Sequence, residues 1–179
     1  RSRAARIAFV APGALPRLWL RRSPPSIAAE LGSACLSTAM IWAPSDKPGA
    51  RAERMHSDLF LHRLATLRLD LDLMRGLIDA VAQRLDAEDA AGRLGPDPED
   101  IGFQLLVNNL KLAGASLPLR VVEGLVTIVG MAQGYLRRSP LALERALRDL
   151  RSAALMYHDD RLLHANGMLL LTGAPALRR

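Results

Sequence analysis

The residues best suited to chemistry form one polar cluster, His158, Asp159 and Asp160. Imidazole nitrogens and carboxylate oxygens are common metal ligands. Successive residues of a helix point about 100° apart, so these three side chains cannot all reach one ion. The chain has one cysteine, Cys35, and no other histidine at a metal-binding spacing. We therefore predict no metal site, and the single cysteine excludes an internal disulfide framework.

The composition predicts an all-α protein built from helices packed on helices. Hydrophobic residues make up 50% of the 179 residues, aromatic residues only 4%, and leucine and alanine dominate. Few β-branched residues are present to form strands. This length suits one domain. No run of eighteen or more uncharged apolar residues occurs, so we predict no membrane span.

The net charge of +6 comes largely from the N-terminal region, where six arginines precede the first acid, Glu30. A nucleic-acid-binding arm, a transit peptide and a poorly ordered basic leader are the three interpretations. No aromatic or glycine-rich RNA-binding pattern accompanies these arginines, so we favour the leader and predict no nucleic-acid partner. A lone cysteine in an apolar helix behaves as a small hydrophobe, and this fits a cytoplasmic location.

Helix-breaking prolines and glycines divide the first third of the chain into short segments. Residues 1–25 contain four prolines and a glycine, and we predict an irregular leader there. Ser26 can cap a helix over residues 26–43. Prolines and a glycine then predict a linker over residues 44–56.

The clearest periodic segment predicts a long helix over residues 57–86, capped by Ser57. Its apolar residues step by four and three: Phe60, Leu64, Leu67, Leu71, Met74, Ile78, Val81 and Leu85. On its outer side two oppositely charged pairs stand four residues apart: Arg68 with Asp72, and Arg75 with Asp79. Such pairs are typical of a solvated helix face.

A break over residues 87–99 precedes a third helix, predicted over residues 100–130 with Asp97 or Asp100 as its cap. Pro118 lies inside this helix and is expected to kink or split it, because proline removes one backbone hydrogen bond. Gly130 and Gly134 then frame a turn.

The fourth predicted helix extends to about Asn166, with Ser139 as its cap and Pro140 in its first turn. Its apolar face comprises Leu143, Leu147, Leu150, Ala154 and Tyr157. Its charged face comprises Glu144, Arg145, Arg148, Asp149 and Arg151. With short connections, these helices form an up-down bundle over residues 57–168, followed by a tail at 169–179.

Several motifs resemble the acyl-CoA dehydrogenase family, four of them in this bundle and one, residues 30–42, resembling a helix of that family's N-terminal domain. They are Gly134-Tyr135, Ser139-Pro140, Arg148-Asp149-x-Arg151, the run at residues 30–42 and the helix at residues 109–130. The resemblance implies an up-down bundle of that family's C-terminal type. It also implies FAD as cofactor, α,β-dehydrogenation of an acyl-CoA or acyl-carrier-protein thioester, and a homo-oligomer. Gly130, Gly134 and Tyr135 would lie nearest the flavin.

The same resemblance implies where a catalytic base would stand. The family's usual glutamate falls eight residues after the Arg-Asp aspartate, and here that position is Tyr157. An unperturbed tyrosine has a pKa near ~10 and is a poor base at neutral pH. Other members place the base on the first bundle helix, where His62 stands. The alternatives are a core tyrosine and a surface histidine.

The family's central β domain has no counterpart, because about a dozen residues join the N-terminal helix to the bundle. The bundle is thus expected to be incomplete, and the chain to be a family remnant, an internally deleted product or a partial sequence. The rival hypothesis is a non-catalytic helical module that associates through its leucine-rich faces.

Overall fold

A computed structural model describes residues 29, 30, 32, 34, 37, 56–93, 100–156 and 158–173. Every element among them is helical and none of these residues forms a strand, which confirms the all-α class. The helices with defined bounds are α1 (Asp58–Ala90), α2 (Ile101–Val129), α3 (Met131–Gly134), α4 (Leu143–Met156) and α5 (Asp159–Gly173). The leader, linker residues 44–55 and Tyr157 lie outside the described residues.

Helix α1 begins as the sequence predicts, because the Ser57 hydroxyl accepts a hydrogen bond from the Phe60 amide at 3.4 Å. Its predicted apolar stripe is buried at Leu67, Leu71, Met74, Val81 and Leu85. The predicted end at residue 86 is four residues early.

Ion pairs hold this additional turn of α1. Buried Glu88 accepts from Arg93 Nε at 2.7 Å, and Arg84 Nε lies 3.0 Å from the same carboxylate. The Arg93 hydrogen bond, helped by nearby positive charge, holds the pKa of Glu88 below its usual range. A buried carboxylate paired in this way stabilises the helical turn that carries it.

Helix α2 begins at the second of the two caps offered by the sequence. The Asp100 carboxylate accepts from the Phe103 amide at 3.1 Å and also pairs with Arg84 of α1. The backbone hydrogen bond is the main reason that the pKa of Asp100 lies below its ordinary value, and Arg84 adds to it. One residue thus both caps α2 and joins it to α1.

Pro118 does not split α2, which is continuous from Ile101 to Val129, so that part of the prediction is wrong. The proline ring is fully buried, and it lies beside Gly32 of the N-terminal helix. Burial of the apolar ring offsets the hydrogen bond that the missing N–H of Pro118 cannot make.

Helices α1 and α2 are antiparallel. Leu67 contacts Gly124, Arg120 donates to Asp70 at 2.8 Å, and Arg84 pairs with Asp100. Residue numbers along α1 therefore increase as the residue numbers of their partners along α2 decrease. The N-terminal helix lies on this pair, with Ala29 and Gly32 buried and Glu30 exposed.

The single fourth helix of the sequence analysis is two helices, α4 and α5, and this is a correction. Ser139 does not cap a helix: its hydroxyl accepts from the Leu141 amide at 3.2 Å within a turn. The helix starts after Ala142, whose φ is 49° and whose carbonyl accepts from the Ala146 amide at 3.0 Å. The second helix starts at Asp159, which is held by Lys111 of α2. Acidic residues favour a helix N-terminus, so Asp159 and Asp160 support a new start there.

Helix α2 is the centre of the fold, since α1, α3, α4 and α5 all pack against it. Leu143, Ala146 and Leu150 of α4 join Leu67 and Leu71 of α1 in the core around Val121, Val122 and Leu125. A second cluster surrounds Met74, Val81, Phe103 and Leu110. Within the described part of the chain, α2 is also the one helix long and apolar enough to cross a membrane. The central helix of a helical core meets the same criterion.

Candidate functional site

The glycine turn after α2 is the first predicted site. Gly130 has φ 81°, in the left-handed region that favours glycine. Its amide donates to the Val126 carbonyl at 2.9 Å, and its own carbonyl accepts from the Gly134 amide at 2.7 Å. Both glycine amides are therefore used to end α2 and to close α3.

Gly134 is required because the chain returns close to α2. A Cβ at Gly134 would lie 2.9 Å from Val126 Cα and 3.1 Å from its carbonyl oxygen. Real Cβ atoms do not approach backbone so closely. The two glycines thus have a structural reason that is independent of any ligand.

Tyr135 completes the turn with its amide donating to the Met131 carbonyl at 3.1 Å. Its side chain is 59% exposed, beside two further exposed apolar residues, Met131 and Leu136. Arg137 and Arg138 follow and are also exposed. The surface of the turn is therefore apolar with two cations at its edge.

His62 lies at the same end of the α1–α2 pair as the glycine turn, because Leu67 of α1 is level with Gly124 of α2. Its imidazole is exposed, seven residues before exposed Leu69 and on the same side of α1. Its carbonyl accepts from the Thr66 hydroxyl at 3.0 Å. This placement agrees with the surface-histidine alternative.

The cluster that follows Tyr157 has a structural role at one of its members. Asp159 pairs with Lys111 of α2, whereas His158 and Asp160 are exposed. In the described ranges no three His, Cys, Asp or Glu side chains gather where they could hold a metal ion. Asp159 therefore attaches α5 to the core.

A buried asparagine group is a feature that sequence reasoning missed. Asn108 Nδ2 donates to Asn166 Oδ1 at 2.8 Å, and Asn166 Nδ2 donates to Asn109 Oδ1 at 3.0 Å. Asn166 is 8% exposed. These paired amides set the position of α5 along α2.

Exposed leucines are the second missed feature. On α1 one side opposite the core is apolar, and we call it the outer stripe: Ala65, Leu69, Leu73, Gly76 and Ala80. Leu69 and Leu73 are 57% and 55% exposed. Helix α5 carries a similar surface with Leu163, Gly167, Leu170 and Leu171. Single exposed leucines are ordinary, but apolar rows at helical spacing are suited to contact with another helix.

Comparisons with protein-family models, curated proteins and solved structures find no match.

Proposed function

We propose that this chain is a helical association module, which buries its exposed leucine rows against another polypeptide. The observation that carries this proposal is the outer stripe of α1, where Leu69 and Leu73 are more than half exposed in the middle of a long helix. Apolar surface of this kind is stabilised by removal from water. The polar residues nearest to chemistry, Asp159 and Asn166, already hold helices together.

Sedimentation velocity of the full chain over a range of concentrations tests this proposal. We expect concentration-dependent association with a dissociation constant of about 1–100 μM, typical of a modest helix interface. A chain that stays monomeric up to about 1 mM would overturn self-association, since that concentration marks the weak limit of specific binding.

A second candidate function is the flavin-dependent dehydrogenation of an acyl-CoA or acyl-carrier-protein thioester. The observation that favours it is that Gly130 and Gly134 form a true turn, with exposed Tyr135 beside it. FAD would supply the hydride acceptor, and the resemblance offers His62 or Tyr157 as the base. The fit of FAD to this turn is limited, because the amides of Gly130 and Gly134 already donate hydrogen bonds within the turn. The contacts with FAD would therefore have to come from Tyr135, Arg137 and Arg138.

Visible absorption after incubation with FAD and desalting tests this second candidate. A retained flavin band that is lost in Arg137→Ala but kept in the control Arg145→Ala would support it. A colourless protein would reject flavin binding by this chain and leave the association module unaffected.

A further inference from the structure

We infer that the outer stripe of α1 binds a second copy of this chain in antiparallel orientation, about a twofold axis near Leu73 and Gly76. The inference rests on the proposed association function and specifies its partner, surface and symmetry. A twofold interface must be complementary to itself, so the residues of the stripe and its flank provide a direct criterion.

The charged flank of the stripe meets this criterion. Four alternating charges run along it: Arg68, Asp72, Arg75 and Asp79. When the second helix runs in the opposite direction, Arg68 is level with Asp79 of the second copy, and Asp72 is level with Arg75. In a parallel twofold pair the two charged flanks would lie on opposite sides of the seam, and these charges would not meet one another. Opposite charges that meet across the interface therefore favour the antiparallel orientation.

The charges already interact within α1, and this does not prevent contact with a second copy. Arg68 Nε donates to both Asp72 oxygens, at 2.8 and 3.0 Å, and Arg75 lies 3.8 Å from Asp72. A guanidinium has five N–H donors and a carboxylate accepts several hydrogen bonds. The terminal nitrogens of Arg68 can therefore reach across while its Nε stays bound to Asp72.

The apolar residues of the stripe agree with the same orientation. Leu69, Leu73, Gly76 and Ala80 alternate by four and three, as in a coiled-coil seam. In an antiparallel pair Leu73 falls opposite Gly76 of the second copy and Leu69 falls opposite Ala80. Each leucine thus meets a small residue that leaves room for it. The midpoints of the apolar and charged rows differ by one residue, so charges that are level in one register are offset by two residues, or roughly 3 Å, in the other, which long arginine side chains can span.

Gly76 provides an independent observation. It lies in the middle of α1, where glycine is less favourable than alanine. A Cβ added there would meet no atom within 4 Å, so packing inside this chain does not require glycine. Its φ is not in the left-handed region either. Close approach of a second helix would explain its presence.

The apolar surface of α5 is the matched control. Gly167 is also inside a helix, and a Cβ there also meets nothing within 4 Å. Leu163 and Leu170 flank it, both more than half exposed. In the described part of α5 the charged residues Asp159, Asp160 and Arg161 all lie in its first turn, so no alternating row of charge runs along this surface to specify a twofold partner.

The test compares Gly76→Lys with Gly167→Lys in the full chain by sedimentation equilibrium. Lysine forms helices better than glycine, so neither variant should lower the thermal unfolding midpoint when it is measured at a concentration where the native chain is monomeric. In Gly76→Lys the new ammonium would be buried against Leu73 of the second copy, and we expect the dimer dissociation constant to rise by about tenfold or more. In Gly167→Lys we expect it to stay within about twofold.

Cysteine cross-linking tests the orientation, in a Cys35→Ser background. Leu69→Cys and Ala80→Cys variants are mixed under oxidising conditions, and an antiparallel dimer yields the mixed disulfide. Disulfides between two Ala80→Cys chains would contradict the antiparallel arrangement. If the native chain associates but Gly76→Lys does not weaken the association, this inference is overturned and the association module stands. A monomeric native chain would overturn both this inference and self-association.

Discussion

The two leucine-bearing sides of α1 share one spacing and have different environments. On the inner side Leu71, Met74 and Val81 are at most 1% exposed, whereas on the outer stripe Leu69 and Leu73 are more than half exposed. The inner side lies against α2, where Gly124 admits Leu67. The difference shows that periodicity identifies an apolar side of a helix but not the partner that covers it.

The largest expected effect is a difference in the free energy of unfolding between leucine truncations on the two sides of α1. Leu71→Ala should destabilise the fold by about 2–5 kcal/mol, because it leaves a cavity in the core. Leu73→Ala, at low concentration where the chain is monomeric, should change the free energy of unfolding by less than about 0.5 kcal/mol. Urea denaturation measures both. Equal losses would contradict the assignment of Leu73 to the surface.

The next prediction compares two glycines: Gly124 of α2, which faces the inner side of α1, and Gly76, which lies in the outer stripe. A Cβ at Gly124 would overlap Leu67 Cδ2, so Gly124→Ala should destabilise the chain by about 1–3 kcal/mol. Gly76→Ala has open space and should stabilise the monomer by about 0.5–1 kcal/mol. The two shifts in thermal unfolding midpoint should have opposite signs. The same sign at both positions would refute the contrast between the sides.

A smaller effect is expected at the junction between α1 and α2. Asp100→Ala removes the cap and should cost about 1 kcal/mol. Asp100→Asn is the matched control, because asparagine also caps helices but cannot form the ion pair with Arg84. We expect the asparagine variant to lie between the native chain and the alanine variant in denaturant midpoint.

The pH dependence of stability should have a defined sign. The folded pKa values of Asp100 and Glu88 are depressed, so the unfolded chain binds more protons as the pH falls. Their contribution is full above the unfolded pKa values of about 4 and declines as the pH falls through the folded values. Thermal unfolding between pH 6 and pH 2 measures it, and Asp100→Asn should flatten the decline. A native chain whose stability rises on acidification through this window would contradict the assignment.

Much of the fold follows from local sequence rules. The helical class, the buried stripe of α1 and the cap at Ser57 were predicted, and Asp100 was one of two predicted caps for α2, because each depends on residues within one or two helical turns. The glycine turn was predicted in place, but its close approach to Val126 was not. Of the predicted bases, His62 is on the surface, and Tyr157 lies outside the described residues.

The amino-acid sequence by itself determined where α1 and α2 begin and which side of α1 faces the core, since capping and periodicity act over a few residues. Tertiary structure alone decided that α2 continues through Pro118, that α5 starts anew at Asp159, and that Asn166 is buried against α2. It also decided that, among the described residues, Leu71 and Met74 of α1 are buried while Leu69 and Leu73 stay exposed. These outcomes depend on contacts such as Asp70 with Arg120, 50 residues apart, and such contacts follow from packing rather than from local pattern.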